Sequence, residues 1–388
     1  MLLLLGIAVT GFSMHTARRL ATARAQAEAR FAARRSAATA TRPDVFGAAL
    51  PGAAWSDWIP AIAAIDMTEL DALESALADE PGARATSPLE LGRLDEAIAH
   101  HVSALDALVR GARRATGRFP IDDPRQTAVL DDAFRPLALG RLAARAAERR
   151  MAQSDADGID LALAAAQFGR DLADQGPTLA AAIGMQAVVA GARTLARLAA
   201  TQPLDGAIRA RIGSAARVLD ESWPSSCLVL AAEHDWTATR LGLVAATSAA
   251  PVTPSDLGIP ILALWRHGFS TNAAVASWWE LALEREGRAK AAAALPWPQA
   301  RAEYAAIDAL AATKTHALLT TRSDHADHAM REGLAAIRVL REVIAAAAGE
   351  PPLGLLDPFT LAPLERAARD GAIVISSADA NLAVEVRR

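Results

Sequence analysis

The sequence has little cysteine, few aromatic residues and no excess of positive charge. Cys227 is the single cysteine, which excludes an internal disulfide and a cysteine-based zinc site. Aromatic residues make up 4% of the chain, with Tyr304 as the single tyrosine, so an aromatic platform for nucleobases is not expected. Lysine and arginine number 40 against 44 aspartate and glutamate, and this balance argues against a dedicated nucleic-acid-binding protein.

Motifs for nucleotide binding and for serine hydrolysis are also missing from the sequence. There is no phosphate loop, no Gly-x-Gly-x-x-Gly fingerprint and no Gly-x-Ser-x-Gly elbow. Nucleotide-dependent enzymes and serine hydrolases therefore become improbable classes. We infer no cofactor, no catalytic residue and no small-molecule ligand from the sequence.

What the sequence does contain is alanine and a large hydrophobic fraction. The chain has 388 residues, of which 52% are hydrophobic, and its mean hydropathy is +0.17. Alanine runs such as Ala291–Ala294 and Ala345–Ala348 favour helices that do not require lipid. The composition therefore predicts a helical protein with a sizeable core.

Residues 1–17 are predicted to form an apolar membrane anchor. Met1–Met14 carries no charge and includes four consecutive leucines. A spanning helix needs about 20 residues, so the anchor would have to extend through Thr16 or continue upstream of the given start. A cleaved signal peptide and a buried core helix are the two alternatives.

Residues 18–60 are predicted to be a basic helical stalk followed by a linker. Arg18–Arg35 contains helix formers and no breaker, which is typical of a solvated spacer after an anchor. Thr41–Pro60 is rich in proline and glycine and indicates a loop at the edge of the folded body. Trp55 and Trp58 in this loop are expected to pack it onto the body, or else to mark a membrane interface.

Residues 61–348 are predicted to form an all-α body. Apolar residues recur there at helical spacing, and the runs end at breakers such as Gly176–Pro177 and Gln202–Pro203. Short breaks between the runs favour antiparallel neighbours, and no fixed repeat is evident. The expected architecture is an irregular stack of antiparallel helical hairpins. The predicted helices cover residues 66–78, 88–111, 137–151, 159–173, 178–200, 204–219, 226–246, 261–267, 273–288, 298–320 and 325–348.

Residues 349–388 are predicted to form a turn and a short β-hairpin. Ala372–Ser376 and Leu382–Val386 are rich in β-branched residues and are joined by a polar segment. Because an isolated two-stranded hairpin is marginally stable, we expect it to dock on the helices or to pair with a partner strand. Its apolar face would consist of Ile373, Ile375, Val384 and Val386.

Several short motifs resemble a group of single-span bacterial helical proteins of unassigned function. The tail motif, Asp357–Pro358–Phe359–Thr360 with Pro363–Leu364, is similar to the C-terminal hairpin of type II secretion pseudopilins. Residues Val384–Arg388 replace the acidic, glycine-rich stretch of that family, so calcium binding is not implied. The remaining motifs are Gly117–Pro120, Phe134–Ala138, Phe168–Ala173, Pro177–Leu179 and Ile183–Gly184.

The membrane orientation receives two conflicting indications. The resemblance implies an inner-membrane protein with one span and an extracytoplasmic body, and this is our prediction. The positive-inside rule predicts a cytoplasmic body instead, because the arginines that flank the apolar run all follow it: Arg18, Arg19, Arg24, Arg30, Arg34 and Arg35.

The candidate metal ligands are His325, His328 and Glu332. On a helix the two histidines share a face and Glu332 lies one turn beyond His328, so the three could converge on a cation. We favour the simpler reading that Ser323 caps a helix here and that acids occupy its first turn. We expect no metal at this position.

Three other groups have the residue types of a reactive site. Glu96 and His100 are four residues apart, but further carboxylates of a di-iron set are not found. Glu233–His234–Asp235 cannot all face one substrate from a helix. Cys227 lies near a helix start, where we expect a buried small cysteine rather than a reactive thiolate.

These observations favour a non-enzymatic, membrane-tethered helical scaffold or binding protein. The expected partners are a membrane at the N-terminal segment and a protein at the C-terminal hairpin. One alternative is a metal-dependent enzyme that uses His325 and His328. Another is an accessory component of a secretion or pilus-like assembly, which rests on the tail alone.

Overall fold

The computed structural model describes most of the chain as helices. The described residues are 2–38, 41–42, 44–47, 49–71, 88–119, 132–153, 155–241, 243–244, 271–313, 322–369, 371–378 and 382–387. Within them, 13 helices and a small C-terminal antiparallel sheet confirm an all-α fold with a short β-hairpin at its end.

The helix bounds follow the breakers seen in the sequence. The predicted helix over residues 261–267 lies outside the described residues. The helices are α1 (Leu2–Ala38), α2 (Trp55–Ala63), α3 (Met67–Asp71), α4 (Pro88–His100), α5 (Val102–Ala112), α6 (Phe134–Ala152), α7 (Asp157–Ala173), α8 (Thr178–Thr201), α9 (Gly206–Glu221), α10 (Ser226–Arg240), α11 (Thr271–Ala292), α12 (Trp297–Thr313) and α13 (Ser323–Ala347). The strands are β1 (Leu50–Ala53), β2 (Arg114–Thr116), β3 (Glu365–Arg369), β4 (Ala372–Ser376) and β5 (Ala383–Arg387).

Helix α7 lies at the centre of the main core. Every residue from Gly158 to Ala173 is buried, and α6, α8 and α5 pack around it. Gly169 and Gly184 let α7 and α8 cross with their backbones in contact, because a Cβ on either glycine would overlap the carbonyl oxygen of the other. The small residues of α7 therefore permit packing on all sides of the helix.

Helix α8 satisfies the length and hydropathy expected of a membrane span. It is the one helix among the described residues that meets both criteria, and the mean hydropathy of its most apolar 18-residue stretch is 1.4. However, 67% of that stretch is buried in the protein, where α8 contacts α7 and α13. These contacts are typical of a core helix.

The predicted linker contributes two core tryptophans. Trp55 and Trp58 are buried in α2, and their indole N–H groups donate to the carbonyl oxygens of Gly117 (2.9 Å) and Leu108 (3.1 Å). Trp58 also meets Phe168 edge to face at 5.1 Å between ring centroids. The expectation that these residues pack the linker onto the body is confirmed, whereas the loop expected at residues 55–60 is helical. β1 and β2 form a short parallel pair beside them.

The basic segment over residues 18–35 is not a solvated spacer, which corrects our sequence interpretation. Leu20, Ala23, Ala27 and Phe31 are buried at spacings of three and four residues. They form a second apolar cluster with Trp278 and Trp279 of α11 and with Ala238 of α10. The C-terminal half of α1 is thus an integral part of the body.

The tail forms a three-stranded antiparallel sheet in the order β3-β4-β5. Ile373 pairs with Val386 and Ile375 with Val384, which places the four residues of the predicted apolar face opposite one another. Ile375, Val384 and Val386 are buried, and β5 lies against α8 and α13. The hairpin is therefore docked on the helices, as one of our two alternatives required.

Candidate functional site

A cluster of buried charges lies at the C-terminal end of α7. Asp171 is fully buried and accepts hydrogen bonds from Gln167 Nε2 (2.8 Å) and Arg170 Nη1 (2.8 Å). Arg42 also donates to Asp171, and its other terminal nitrogen donates to the carbonyl oxygen of Gly111 at 2.7 Å. We call Arg42, Gln167, Arg170, Asp171 and Asp174 the α7 charge cluster.

Asp174 extends the cluster to the segment after β2. Its carboxylate lies 3.2 Å from Arg118 Nε and 3.6 Å from Arg170 Nη1. Burial raises the pKa of Asp174, although the two arginines act in the opposite direction. The N–H of Phe119 donates to the carbonyl oxygen of Asp174 at 3.1 Å, which fixes this segment against α7.

Gly117 has to be a glycine for the cluster to close. A Cβ at this position would overlap the carboxylate of Asp171 and the guanidinium of Arg42. Residues 117–119, the described part of the motif that begins at Gly117, thus lie against the motif Phe168–Ala173, although the two are far apart in sequence. Gly117 packs directly on the buried ion pair between Asp171 and Arg42.

The turn between α7 and α8 adjoins the cluster. Gln175 has a φ of 70°, which lies in the left-handed region that residues with a Cβ seldom adopt. Its carbonyl oxygen accepts a hydrogen bond from Arg34 Nη2 at 2.8 Å. The N–H of Thr178 at the start of α8 donates to Glu233 Oε2 at 2.9 Å, where a negative charge also interacts favourably with the helix dipole.

A second set of charges holds α1 on α10 and α11. Asp235 lies 2.8 Å from Arg34 Nη1 and 3.1 Å from Arg30 Nη2, and Arg30 also contacts Glu286 at 3.0 Å. Burial raises the pKa of Asp235, with the two arginines opposing the shift. Burial alone would also raise the pKa of Glu286. The hydrogen bond from His234 and the charge of Arg30 outweigh burial and lower the pKa of Glu286 below its ordinary value.

His234 continues this set of charges into the body. Its Nδ1 lies 2.8 Å from Glu286 Oε1, and Arg285 Nη1 lies 3.5 Å from its Nε2. Because a carboxylate oxygen can only accept, Nδ1 donates the hydrogen bond to Glu286. Glu233, His234 and Asp235 therefore serve three different contacts, as expected for neighbours on a helix.

No family model, curated protein or solved structure matches this chain. A functional proposal therefore rests on the geometry of the chain's own residues. The pseudopilin-like tail remains a resemblance in sequence. In the structure, Asp357 accepts hydrogen bonds from the N–H groups of Phe359 (2.9 Å) and Ala378 (2.6 Å), which ties the turn to the end of β4.

The candidate ligands His325, His328 and Glu332 do not come together as a site in the structure. His325 is exposed beside Asp324, and His328 Nδ1 lies 3.8 Å from Glu332 Oε1. The ring of His328 instead packs on Trp297 and Phe359, with centroid distances of 5.0 and 5.4 Å. Among the described residues, these three side chains do not form a group with metal-binding spacing.

The start of α13 also differs from our expectation that Ser323 caps it. Ser323 is the first helical residue, and its N–H points to the carboxylate of Asp308 at 3.3–3.4 Å. The hydroxyl of Ser323 donates to the same carboxylate at 3.0 Å. Asp308, a residue of α12, therefore supplies the acceptor that the sequence interpretation assigned to Ser323.

His325→Ala and His328→Ala are expected to differ in stability. His328→Ala should lower the free energy of unfolding by about 1 kcal/mol, because two edge-to-face ring contacts are lost. His325→Ala should have no measurable effect, since its side chain is 62% exposed. Urea unfolding of both variants tests this, and an equal loss in both would contradict the packing role of His328.

Glu69, His100 and His101 bring three ligand-type atoms within 4.8 Å of one another. His100 Nδ1 lies 2.6 Å from Glu69 Oε2, so its partner is Glu69 and not Glu96. His101 is buried between two backbone groups: its Nδ1–H donates to Ala97 O at 2.9 Å, and its Nε2 accepts from the N–H of Asp66 at 3.1 Å. A metal ion would have to displace one of these bonds, so we assign His101 a structural role.

Cys227 is partly buried near the start of α10, with its sulfur 3.1 Å from the hydroxyl oxygen of Ser225. The expectation of a buried cysteine is therefore met in part.

Proposed function

We propose that the protein is a membrane-tethered helical scaffold or binding protein, and that the N-terminal end of α1 is its tether. The observation that carries this proposal is the position along α1 at which burial begins. Residues 11–15 are exposed, with Phe12 43% and Met14 57% exposed, whereas the first buried residues are Thr16 and Leu20. An uncharged apolar stretch that precedes the buried part of a helix is stabilised by transfer from water into lipid.

The apolar end of α1 is long enough to enter a bilayer but shorter than its hydrocarbon core. Leu2–Met14 in helical form extends about 20 Å at 1.5 Å per residue, compared with about 30 Å for the hydrocarbon core of a bilayer. The helix continues without a break into the docked half of α1. A tether of this kind would hold the body close to the lipid surface, with little freedom between them.

The buried charges support a scaffold more than an enzyme. Asp235 and Glu286 bind arginines or a histidine from another helix, and Asp171 of α7 binds Arg42 of the segment after α1, so these charges join separate elements of the fold. The metal-enzyme alternative gains no support, because His328 packs on aromatic rings. The side of the membrane on which the body lies stays a prediction from sequence.

Vesicle flotation of the full chain tests the tether. The protein should float with phosphatidylethanolamine–phosphatidylglycerol vesicles after a high-salt wash. Phe12→Glu combined with Met14→Glu should reduce the floating fraction at least tenfold, because each acidic group in the bilayer costs on the order of 2–3 kcal/mol. The reduction is to be measured by comparison with the unmodified chain.

A matched control places two glutamates on exposed apolar residues of the body. Leu89→Glu with Leu353→Glu makes the same change in charge, at side chains that are 67% and 44% exposed. This variant should float like the unmodified chain. Equal flotation of the two double variants would refute the tether, as would a failure of the unmodified chain to float.

A further inference from the structure

The segment that carries the proposed tether contacts the end of α7 at two places. Arg34 of α1 donates to the carbonyl oxygen of Gln175, and Arg42, just beyond α1, donates to Asp171. We propose that α1 acts as a clamp that holds the α7–α8 turn in its strained conformation, so that a displacement of α1 is transmitted to this turn. The clamp itself does not depend on membrane attachment, whereas its regulation by a membrane rests on the proposed function.

The turn has to be stabilised by contacts from outside it, because the backbone conformation at Gln175 is unfavourable for a residue with a side chain. Gln175 has a φ of 70° although it carries a Cβ. Gly176 next to it lies so close to the carbonyl oxygen of Leu172 that a Cβ there would overlap it. Strained conformations of this kind persist when surrounding contacts over-determine them. Arg34 provides one such contact, with a charge-assisted hydrogen bond.

Arg34 is suited to transmit the position of α1 because its guanidinium is fixed from two sides. Nη2 donates to Gln175 O at 2.8 Å while Nη1 donates to Asp235 Oδ2 of α10 at 2.8 Å. Arg30, one turn earlier on α1, contacts Asp235 and Glu286. A shift of α1 along or about its axis would therefore break the bond to the turn together with the ion pairs.

Amide hydrogen exchange of the full chain in detergent micelles tests the clamp. Arg34→Ala should accelerate exchange at Gln175, Gly176 and Thr178 at least tenfold. Arg34→Lys should act similarly, because an ammonium group can keep the pairing with Asp235 but lacks the fork that reaches both acceptors. Arg24→Ala, at an exposed position of α1, is the matched control and should leave these rates unchanged.

Replacing Gln175 with glycine removes the backbone strain, so amide exchange in the turn should no longer depend on Arg34. Glycine adopts positive φ freely, so in the Gln175→Gly background Arg34→Ala should accelerate exchange less than threefold. Exchange at β4 reports whether each variant keeps its global fold. The clamp is refuted if Arg34→Lys behaves like Arg24→Ala, or if Arg34→Ala has the same effect with and without Gln175→Gly.

Vesicles then test regulation by the membrane. Binding of phosphatidylethanolamine–phosphatidylglycerol vesicles should change turn exchange at least threefold in the unmodified chain and not in Arg34→Lys. Binding without a change in exchange would overturn regulation by the membrane. A chain that does not bind vesicles would refute the proposed tether, and the Arg34 and Gln175 variants would still decide on the clamp.

Discussion

Replacing Asp171 with alanine is expected to lower the free energy of unfolding by about 3–5 kcal/mol. The carboxylate is fully buried and is shared by Arg42, Arg170 and Gln167. Its removal leaves two guanidinium groups in the core without their common counter-charge, which is the costly way to break a buried ion pair. Urea unfolding of the full chain, followed by circular dichroism, gives the difference.

Asp95→Ala is the control for this substitution. Asp95 pairs with Arg149 at 2.7 Å, but its side chain is 46% exposed, so its loss should cost no more than about 1 kcal/mol. Asp171→Ala together with Arg42→Ala should cost less than the sum of the two single changes, because both remove the same interaction. An Asp171→Ala effect as small as that of Asp95→Ala would show that water reaches the α7 charge cluster.

The second large effect is expected at the crossing of α7 and α8. Gly169→Ala should lower the free energy of unfolding by about 3 kcal/mol, because the added methyl group overlaps the carbonyl oxygen of Gly184. A backbone atom in a packed helix cannot rotate away as a side chain can. The two helices would have to separate along a contact in which every residue of α7 from Gly158 to Ala173 is buried.

Gly287→Ala should change the free energy of unfolding in the opposite direction. Gly287 lies within α11, and apart from the adjoining backbone of that helix nothing lies within 4 Å of where its Cβ would be. Alanine should therefore raise stability by about 0.5–1 kcal/mol through helix propensity alone. Thermal unfolding of the Gly169→Ala and Gly287→Ala variants tests the helix crossing directly. If Gly169→Ala raised stability, α7 and α8 would have to be further apart than described.

The helical architecture could be predicted because its signals are local. Gly176–Pro177 and Gln202–Pro203 stop helices wherever they occur, and β-branched runs identify β4 and β5. β3 escaped prediction because Glu-Arg-Ala-Ala-Arg has no strand-like composition and becomes a strand by pairing with β4. The docking of α1 was missed because its buried stripe consists partly of alanine, which is equally common on exposed faces.

The charge cluster could be predicted only in part. Arg170 and Asp171 interrupt a long apolar helix, and such charges are expected to be paired when buried. Their partner Arg42 lies 129 residues away from Asp171, and no local pattern connects the two. The partners of Arg34 could not be predicted either, since a basic helix after an apolar segment is equally consistent with an exposed arginine. Helical spacing also does not reveal that His328 packs against Trp297, so the sequence could not show how the candidate ligands are arranged.

The docking of α1 on α11 has a consequence for how the chain is made. Trp279 follows Gln26, its hydrogen-bond partner, by 253 residues. At a synthesis rate of about 5–20 residues per second, the partner emerges from the ribosome roughly 13–50 s after α1. Until α10 and α11 have both emerged, the apolar face of α1 lacks part of the surface that covers it in the folded protein. Polypeptides that terminate before α11 should therefore display a partly uncovered apolar helix and be degraded by quality-control proteases.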